Sequence, residues 1–444
     1  MLFLSKKAFI LFLSNIFLAH VLFSQQILTL ETATRQCLEN NFQVQLGKIE
    51  LDMAVANNTR GNAGMLPRVG VLVGNSLSNN NIRQRFADGR VITRDFVFSN
   101  TTNAAVAANW TIFDGYRMSA TKQRLEVLES LGFLNIKAVA NEVIGQMITA
   151  YFEVGRQQSL LQNLQTLLNM SEERLRLATE KLNAGVVAKT EVLQTTLDRN
   201  VLIDNIMRQK NAIEQAKINL QTAIGQPKME LAEDFNIDTK NLFFEENKLM
   251  TLETLLAQVF EKNIDLKMQQ QLIFLSQISQ KEAKSLRQPT LALNGSYGFA
   301  LTENQAGFAL SNFNLGLNVG IAATLPLYDG GNVRRLRQLA TLEEKVQEKR
   351  FENLKMQLTN SIRKAFLDYQ NAKMRLESEA KNLPIAKENT FIASERYRLG
   401  QSSNSMELRA AEKTLEDIEI RLTNLKFDAQ FALIELKKAT FALF

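Results

Sequence analysis

Residues 290–302 read TLALNGSYGFALT and residues 312–322 read NFNLGLNVGIA. In the first stretch Leu291, Leu293, Tyr297, Phe299 and Leu301 fall on one face. Thr290, Ala292, Asn294, Ser296, Gly298, Ala300 and Thr302 fall on the other. In the second, Phe313, Leu315, Leu317, Val319 and Ile321 alternate with Asn312, Asn314, Gly316, Asn318, Gly320 and Ala322. A period of two, with large apolar residues on one side and small or polar ones on the other, predicts paired strands. The pattern also occurs earlier in the chain. Ala104, Val106, Ala108, Trp110 and Ile112 alternate with Asn103, Ala105, Ala107, Asn109 and Thr111, and Val69, Val71, Val73 and Leu77 form a shorter version.

Around these strands the period changes to that of long helices. Leu408, Ala411, Leu415, Ile418, Leu422 and Leu425 step by threes and fours, a coiled-coil seam. Leu354, Leu358, Ile362, Phe366 and Tyr369 form an apolar stripe on another helix. From Val333 to Leu399 only Pro384 interrupts the pattern, and at about 1.5 Å per residue such a helix reaches ~100 Å. Pro384 is expected to bend it.

The chain repeats itself. Leu28-Thr29-Leu30-Glu31 recurs as Met250-Thr251-Leu252-Glu253, and Leu66-Pro67 as Gln288-Pro289. Trp110 to Gly115 recurs as Leu325 to Gly330, and Lys181 to Gly185 as Arg396 to Gly400. The last two recurrences share one spacing, slightly shorter than that of the first two, so a small insertion is expected between the strands of the first copy. Each copy reads as a helix, two strands, a very long helix, a turn and another long helix. Residues 1–24 read as a secretory signal, 25–226 as the first repeat, 227–248 as a non-periodic connection and 249–444 as the second repeat. Lys6 and Lys7 supply the basic start of the signal, and the apolar run from Ala8 is short for a membrane anchor.

Composition removes much chemistry. His20, the only histidine, lies within the signal, so histidine triads and His-ligated metals have no residues to use. Cys37 is the only cysteine, which excludes an internal disulfide and reads as a packing residue. The net charge of +6 is spread among residues of both signs, without the basic stripe of a nucleic-acid binder. No enzyme activity, metal or cofactor is expected.

Long strands with one large apolar face suit a barrel wall in lipid, where only helices and closed barrels satisfy the backbone. Four strands cannot close one. Two chains would give an eight-stranded barrel plugged by its own side chains, and three chains suit the wet face of Asn, Ser, Gly, Ala and Thr better. The alternatives are a soluble sandwich, a non-channel periplasmic coiled-coil scaffold and a stand-alone porin. The long helices argue against the sandwich and the porin.

The duplication, the Trp110–Gly115 and Leu325–Gly330 segments and the glycine-marked hairpin tips together resemble the TolC-like outer-membrane efflux family over nearly the whole mature chain. The resemblance implies a homotrimer in the outer membrane, with a twelve-stranded β-barrel continued by a twelve-helix α-barrel tunnel in the periplasm. It implies an exit duct for small molecules or polypeptides, docked to a periplasmic adaptor protein and an inner-membrane pump or ABC transporter that supplies the energy.

Residue roles follow. Pro67 and Pro289 are expected to end the first helix of each copy, since proline disfavours helix before it. Asp114-Gly115 and Asp329-Gly330 are expected to mark the switch back from strand to helix. The resemblance places adaptor docking on Asn183, Gly185, Val186 and Val187 in one tip and Leu399, Gly400, Gln401 and Ser402 in the other. It places the periplasmic gate at Thr190, Glu191, Tyr397, Met406 and Arg409. An arginine of the family's latch is Ser402 here, and acidic gate residues are Met406 and Arg409, so a weaker latch and no acidic ring are expected.

Overall fold

The computed structural model describes residues 27–225, 235–237, 251–305, 309–401 and 405–441. The signal, most of the inter-repeat connection and Ser402 lie outside the described residues. The chain forms two compact units. One holds residues up to Gly47, Ile136–Ile264 and Lys355 onward, and the other Lys48–Asn135 and Asp265–Leu354. Each unit draws on both sequence repeats, so the duplication in sequence is not a division into domains in space.

The second unit carries the sheet. β2 (Arg68–Arg85), β3 (Val91–Phe113), β5 (Thr290–Asn304) and β6 (Ser311–Thr324) are ordered β2-β3-β5-β6, every neighbour antiparallel. Over the middle of the sheet the register lines up the two kinds of residue, and it shifts only between Asn80 and Ile82, beyond which Ile82 pairs with Arg94 and Gln84 with Ile92, and between Thr111 and Phe113. Val106 pairs with both Val71 and Tyr297, and Tyr297 with Leu317, on the apolar face. Asn109 pairs with Asn294, and Ser296 with Ala107 and Asn318, on the small, polar face. A slip of one residue in any ladder would mix the two faces. The first hairpin, with strands of 18 and 23 residues, is longer than the second, with 15 and 14. That is where the extra residues of the first copy lie. Among the described residues, no other strand pairs with β2 or β6 on their outer sides.

The helices that flank these strands begin and end where local chemistry dictates. In the first copy, α1 (Leu30–Asn40) is capped by Thr29, whose hydroxyl accepts from Thr32 N–H at 3.2 Å. In the second, Thr251 caps α5 (Leu252–Lys262) through Thr254 N–H at 3.3 Å. The single first helix expected in each copy is broken in two. Asn41 (φ −64°, ψ 126°) separates α1 from α2 (Phe42–Asn57), and Asn263 (φ −59°, ψ 125°) separates α5 from α6 (Ile264–Ser285). Each asparagine amide donates to the end of a distant helix, Asn41 to Ala223 O at 2.8 Å and Asn263 to Ala439 O at 3.4 Å. Those side-chain bonds compensate the break. The prolines, too, act later than expected. α2 stops at Asn57, followed by a turn in which Thr59 Oγ1 accepts from Asn62 N–H at 3.1 Å, and Gly64 takes φ +80°. Pro67 and Pro289 stand immediately before β2 and β5 and begin strands, while the helices have already ended at Asn57 and Ser285.

Two helices of 67 residues, α3 (Arg117–Asn183) and α7 (Asn332–Arg398), contribute to both units, and Pro384 lies inside α7. Each is followed by a shorter partner, α4 (Lys189–Ile224) and α8 (Met406–Ala439). The core of the helical unit includes Cys37, Ile144, Met147, Phe152, Leu220, Phe427 and Ile434. A short parallel bridge of β1 (Ile27–Leu28) with β4 (Asn236–Ile237) also belongs to this unit, and Tyr151 Oη donates to Leu28 O at 2.7 Å. Cys37 is fully buried, and burial pushes its thiol up to about 11, so it stays protonated at neutral pH. Among the described residues no helix is long and apolar enough to cross a membrane.

Candidate functional site at the hairpin tips

The same backbone device closes both tips. Gly185 takes φ +74°, its N–H donates to Leu182 O at 2.9 Å, and Val186 N–H donates to Lys181 O at 2.8 Å. Gly400 takes φ +75°, its N–H donates to Tyr397 O at 3.3 Å, and Gln401 N–H donates to Arg396 O at 3.0 Å. These paired bonds are the Schellman motif, which needs a left-handed residue and so favours glycine. Of the expected docking residues, Asn183, Gly185, Val186, Leu399, Gly400 and Gln401 are accessible to solvent and Val187 is half-buried.

Between the tips the side chains knit together. Tyr397 is fully buried against Ala393, Leu408 and Ala411, with Leu177 alongside. Lys181 Nζ stands 3.8 Å from the centre of the Tyr397 ring and donates to the Tyr397 carbonyl. Burial lowers the Lys181 pKa, against the pull of Glu191. Burial and then Glu191 raise that of the Tyr397 phenol, against Arg174, and the phenol oxygen has no hydrogen-bond partner among the described residues. Glu191, in the first turn of α4, accepts the Ser405 N–H at the start of α8 at 2.9 Å. A carboxylate there also suits the dipole of its own helix. Glu191 and Tyr397 therefore share a site, but the carboxylate is bonded to the Ser405 backbone and not to the phenol. Thr190 is exposed, and its hydroxyl makes no hydrogen bond among the described residues. Met406 is the exposed first residue of α8.

Deeper along the same helices lies a charged cluster. Arg174, nearly buried, pairs with Glu412 and with Asp198 at 3.0 Å, and Arg409 Nε meets Asp198 at 2.7 Å. These four line a cavity of about 340 Å³. The cluster ties α3 and α4 of the first copy to α8 of the second. Burial raises the Glu412 pKa, and the Arg174 charge opposes this.

The outer membrane efflux protein family model matches residues 33–226 and 255–440, most of both repeats. The chain belongs to this family. It is 22% identical to outer membrane protein TolC of Escherichia coli (strain K12) over 414 residues, 91% of this chain and 80% of that protein. It is as similar to TolC of Salmonella enteritidis, over 415 residues. Among solved structures, the Campylobacter jejuni CmeC outer membrane channel superposes with a TM-score of 0.74 at 17% identity, covering 94% of this chain and 86% of that one. CusC superposes with a TM-score of 0.74 at 14% identity, covering 93% and 91%, and Vibrio cholerae VceC with 0.72 at 15%, covering 93% and 95%. The protein is thus an outer-membrane efflux channel component. Its family is one of channel proteins.

Arg174, Lys181, Asp198, Ser405 and Glu412 of this efflux protein were not singled out from its sequence. A signal for the first three was present. Arg174 and Lys181 lie two turns apart on α3, and Glu191 and Asp198 two turns apart on α4, so the antiparallel hairpin sets a basic stripe against an acidic one.

Proposed function

We propose that three copies of this chain close a single barrel, each donating its four strands, and that their helices form one periplasmic tunnel. The observation that carries this reading is the sheet itself. Over its middle it has one apolar and one polar face in register from β2 to β6, yet β2 and β6 each leave an edge unpaired among the described residues. A backbone edge cannot stay open in lipid, and only sister strands of the same pattern satisfy it without mixing the faces. The exposed tips are where a periplasmic adaptor docks, and an inner-membrane transporter supplies the energy. The chain catalyses no reaction. Native mass spectrometry of the mature protein in detergent is expected to give three chains and planar bilayers to show channels. A monomer soluble without detergent would refute the reading.

Within it, Thr190, Glu191, Tyr397, Met406 and Arg409 border the gate. Glu191 holds the two hairpins of one chain together through Ser405. Glu191→Ala is expected to raise single-channel conductance, and Tyr397→Phe alone to leave it unchanged because the phenol oxygen has no partner among the described residues. A conductance change with Tyr397→Phe that equals the change with Glu191→Ala would overturn this assignment.

A further inference from the structure

The geometry points to a binding site for the anionic headgroup of a phospholipid in the groove between α6 and α7, just beyond the helical end of the sheet. The inference rests on the proposal that the sheet lies in the outer membrane. Lys284 from the end of α6 and Arg287 from the turn after it, and Arg334 and Arg337 from the start of α7, line a cavity of about 510 Å³ with Gln280 and Gln338, and no acidic residue lines it. None of the four cationic side chains has an ion pair or hydrogen bond among the described residues. Their placement runs against helix electrostatics. Asp329 caps the start of α7, but its first turn contains no acidic residue, and the single carboxylate faces Arg334, Arg335 and Arg337 crowded at the positive end of the dipole. An anion in the groove would relieve that repulsion.

The groove opens on the lipid side. A separate cavity of about 800 Å³ is lined by Arg68, Asn109 and Thr111, which belong to the polar face of the sheet, and by Ser279 and Ala283 of α6 and Leu336 and Ala340 of α7. At about 100° per residue, Leu336 and Ala340 project on average roughly 110° away from Arg334, Arg337 and Thr341 on α7. The cationic groove therefore lies on the side of the apolar strand face. The aromatic residues Trp110, Tyr116 and Tyr328, exposed at this end of the sheet, suit the level where hydrocarbon gives way to headgroups. Cations one to two turns further along the helices meet phosphates there.

The test uses the mature protein in detergent, with cardiolipin, phosphatidylglycerol and phosphatidylethanolamine as probes and native mass spectrometry as the readout. The two anionic lipids are expected to be retained at least about ten-fold more than the zwitterionic one. Lys284→Gln, Arg287→Gln, Arg334→Gln and Arg337→Gln combined should abolish that preference. Arg176→Gln with Lys349→Gln, exposed cations elsewhere, should leave it intact. If the four-fold variant does not fold, Arg334→Gln with Arg337→Gln is expected to lower retention at least about three-fold. An unchanged preference in a folded variant, or equal loss in the control, overturns the site. Displacement of lipid by millimolar inorganic phosphate overturns the lipid assignment in favour of a free-anion site. Conductance of the unaltered protein in purely zwitterionic bilayers reports separately on the channel reading. Channels without lipid preference would sink only the present inference.

Discussion

Two Asp-Gly pairs with the same job sit in opposite surroundings. Asp114 is buried, and both its carboxylate oxygens accept from Met118 N–H, at 3.1 and 3.0 Å. Gly115 beside it (φ +69°) is crowded, because a Cβ there would lie 2.3 Å from Gln288 Cβ and 2.8 Å from Ser285 O. Asp329 is exposed and accepts from Gly331 and Val333 N–H at 3.0 and 2.6 Å, while Gly330 (φ +70°) has nothing within 4 Å of the same point. Both aspartates satisfy free amides at a helix start and both glycines take the left-handed turn, so the local signal is one and the same. The difference comes from topology. Gly115 follows β3, which is flanked on both sides within the chain, and Gly330 follows β6, the sheet's edge. The second copy lacks a neighbour that the first already has.

Substitution by alanine tests that contrast most strongly. Gly115→Ala combines left-handed strain with overpacking and is expected to cost roughly 2–5 kcal/mol. In an isolated chain Gly330→Ala carries the strain alone, about 1–2 kcal/mol. Thermal unfolding in detergent reads both. In the assembled oligomer a sister chain beside β6 would crowd Gly330 as well. A Gly330→Ala cost that rises toward that of Gly115→Ala on assembly would locate the missing neighbour. Equal, small costs at both sites in every state would show that the crowding at Gly115 is relieved by minor movement.

The tips sharpen the comparison from the other side, because there the two copies are alike. Gly185 and Gly400 share the Schellman bonds, and neither has anything within 4 Å of the point that a Cβ would occupy. Gly185→Ala and Gly400→Ala are therefore expected to cost about 1–2 kcal/mol each, from backbone strain only. A marked inequality between them would mean that an additional contact covers one tip.

What could be read from the residues follows from which forces act locally. The strands were legible because two solvents act on two faces, and Tyr297 and Leu317 on one side against Ser296 and Asn318 on the other need no tertiary knowledge. The hairpin tips were legible because a left-handed C-cap favours glycine. The helix breaks were not, because Asn41 and Asn263 are stabilised by carbonyls of Ala223 and Ala439, far along the chain. Proline was read for the helix it discourages, but at Pro67 the turn around Thr59 and Gly64 had already ended the helix. The partners of Tyr397 were hidden for a similar reason. Lys181 reaches it across a separation that no local period encodes.

The smallest expected effect concerns the charged cluster to which both copies contribute. Burial raises the Glu412 pKa above its ordinary value of 4.5, more than Arg174 pulls it down. A carboxyl that binds its proton more tightly in the folded than in the unfolded state contributes stability below 4.5, and that contribution fades as pH rises through the raised value. Glutamine in its place keeps an acceptor for Arg174 and removes the titration. The melting temperature of the unaltered protein minus that of Glu412→Gln should accordingly be more positive at about pH 4 than at about pH 7. The shift is expected to be modest, since protonation that relieves desolvation also weakens the pairing with Arg174. A difference that stays flat across this range, or grows toward neutrality, would mean that the attraction of Arg174 outweighs burial and that the cluster is a net tie between the hairpins at neutral pH.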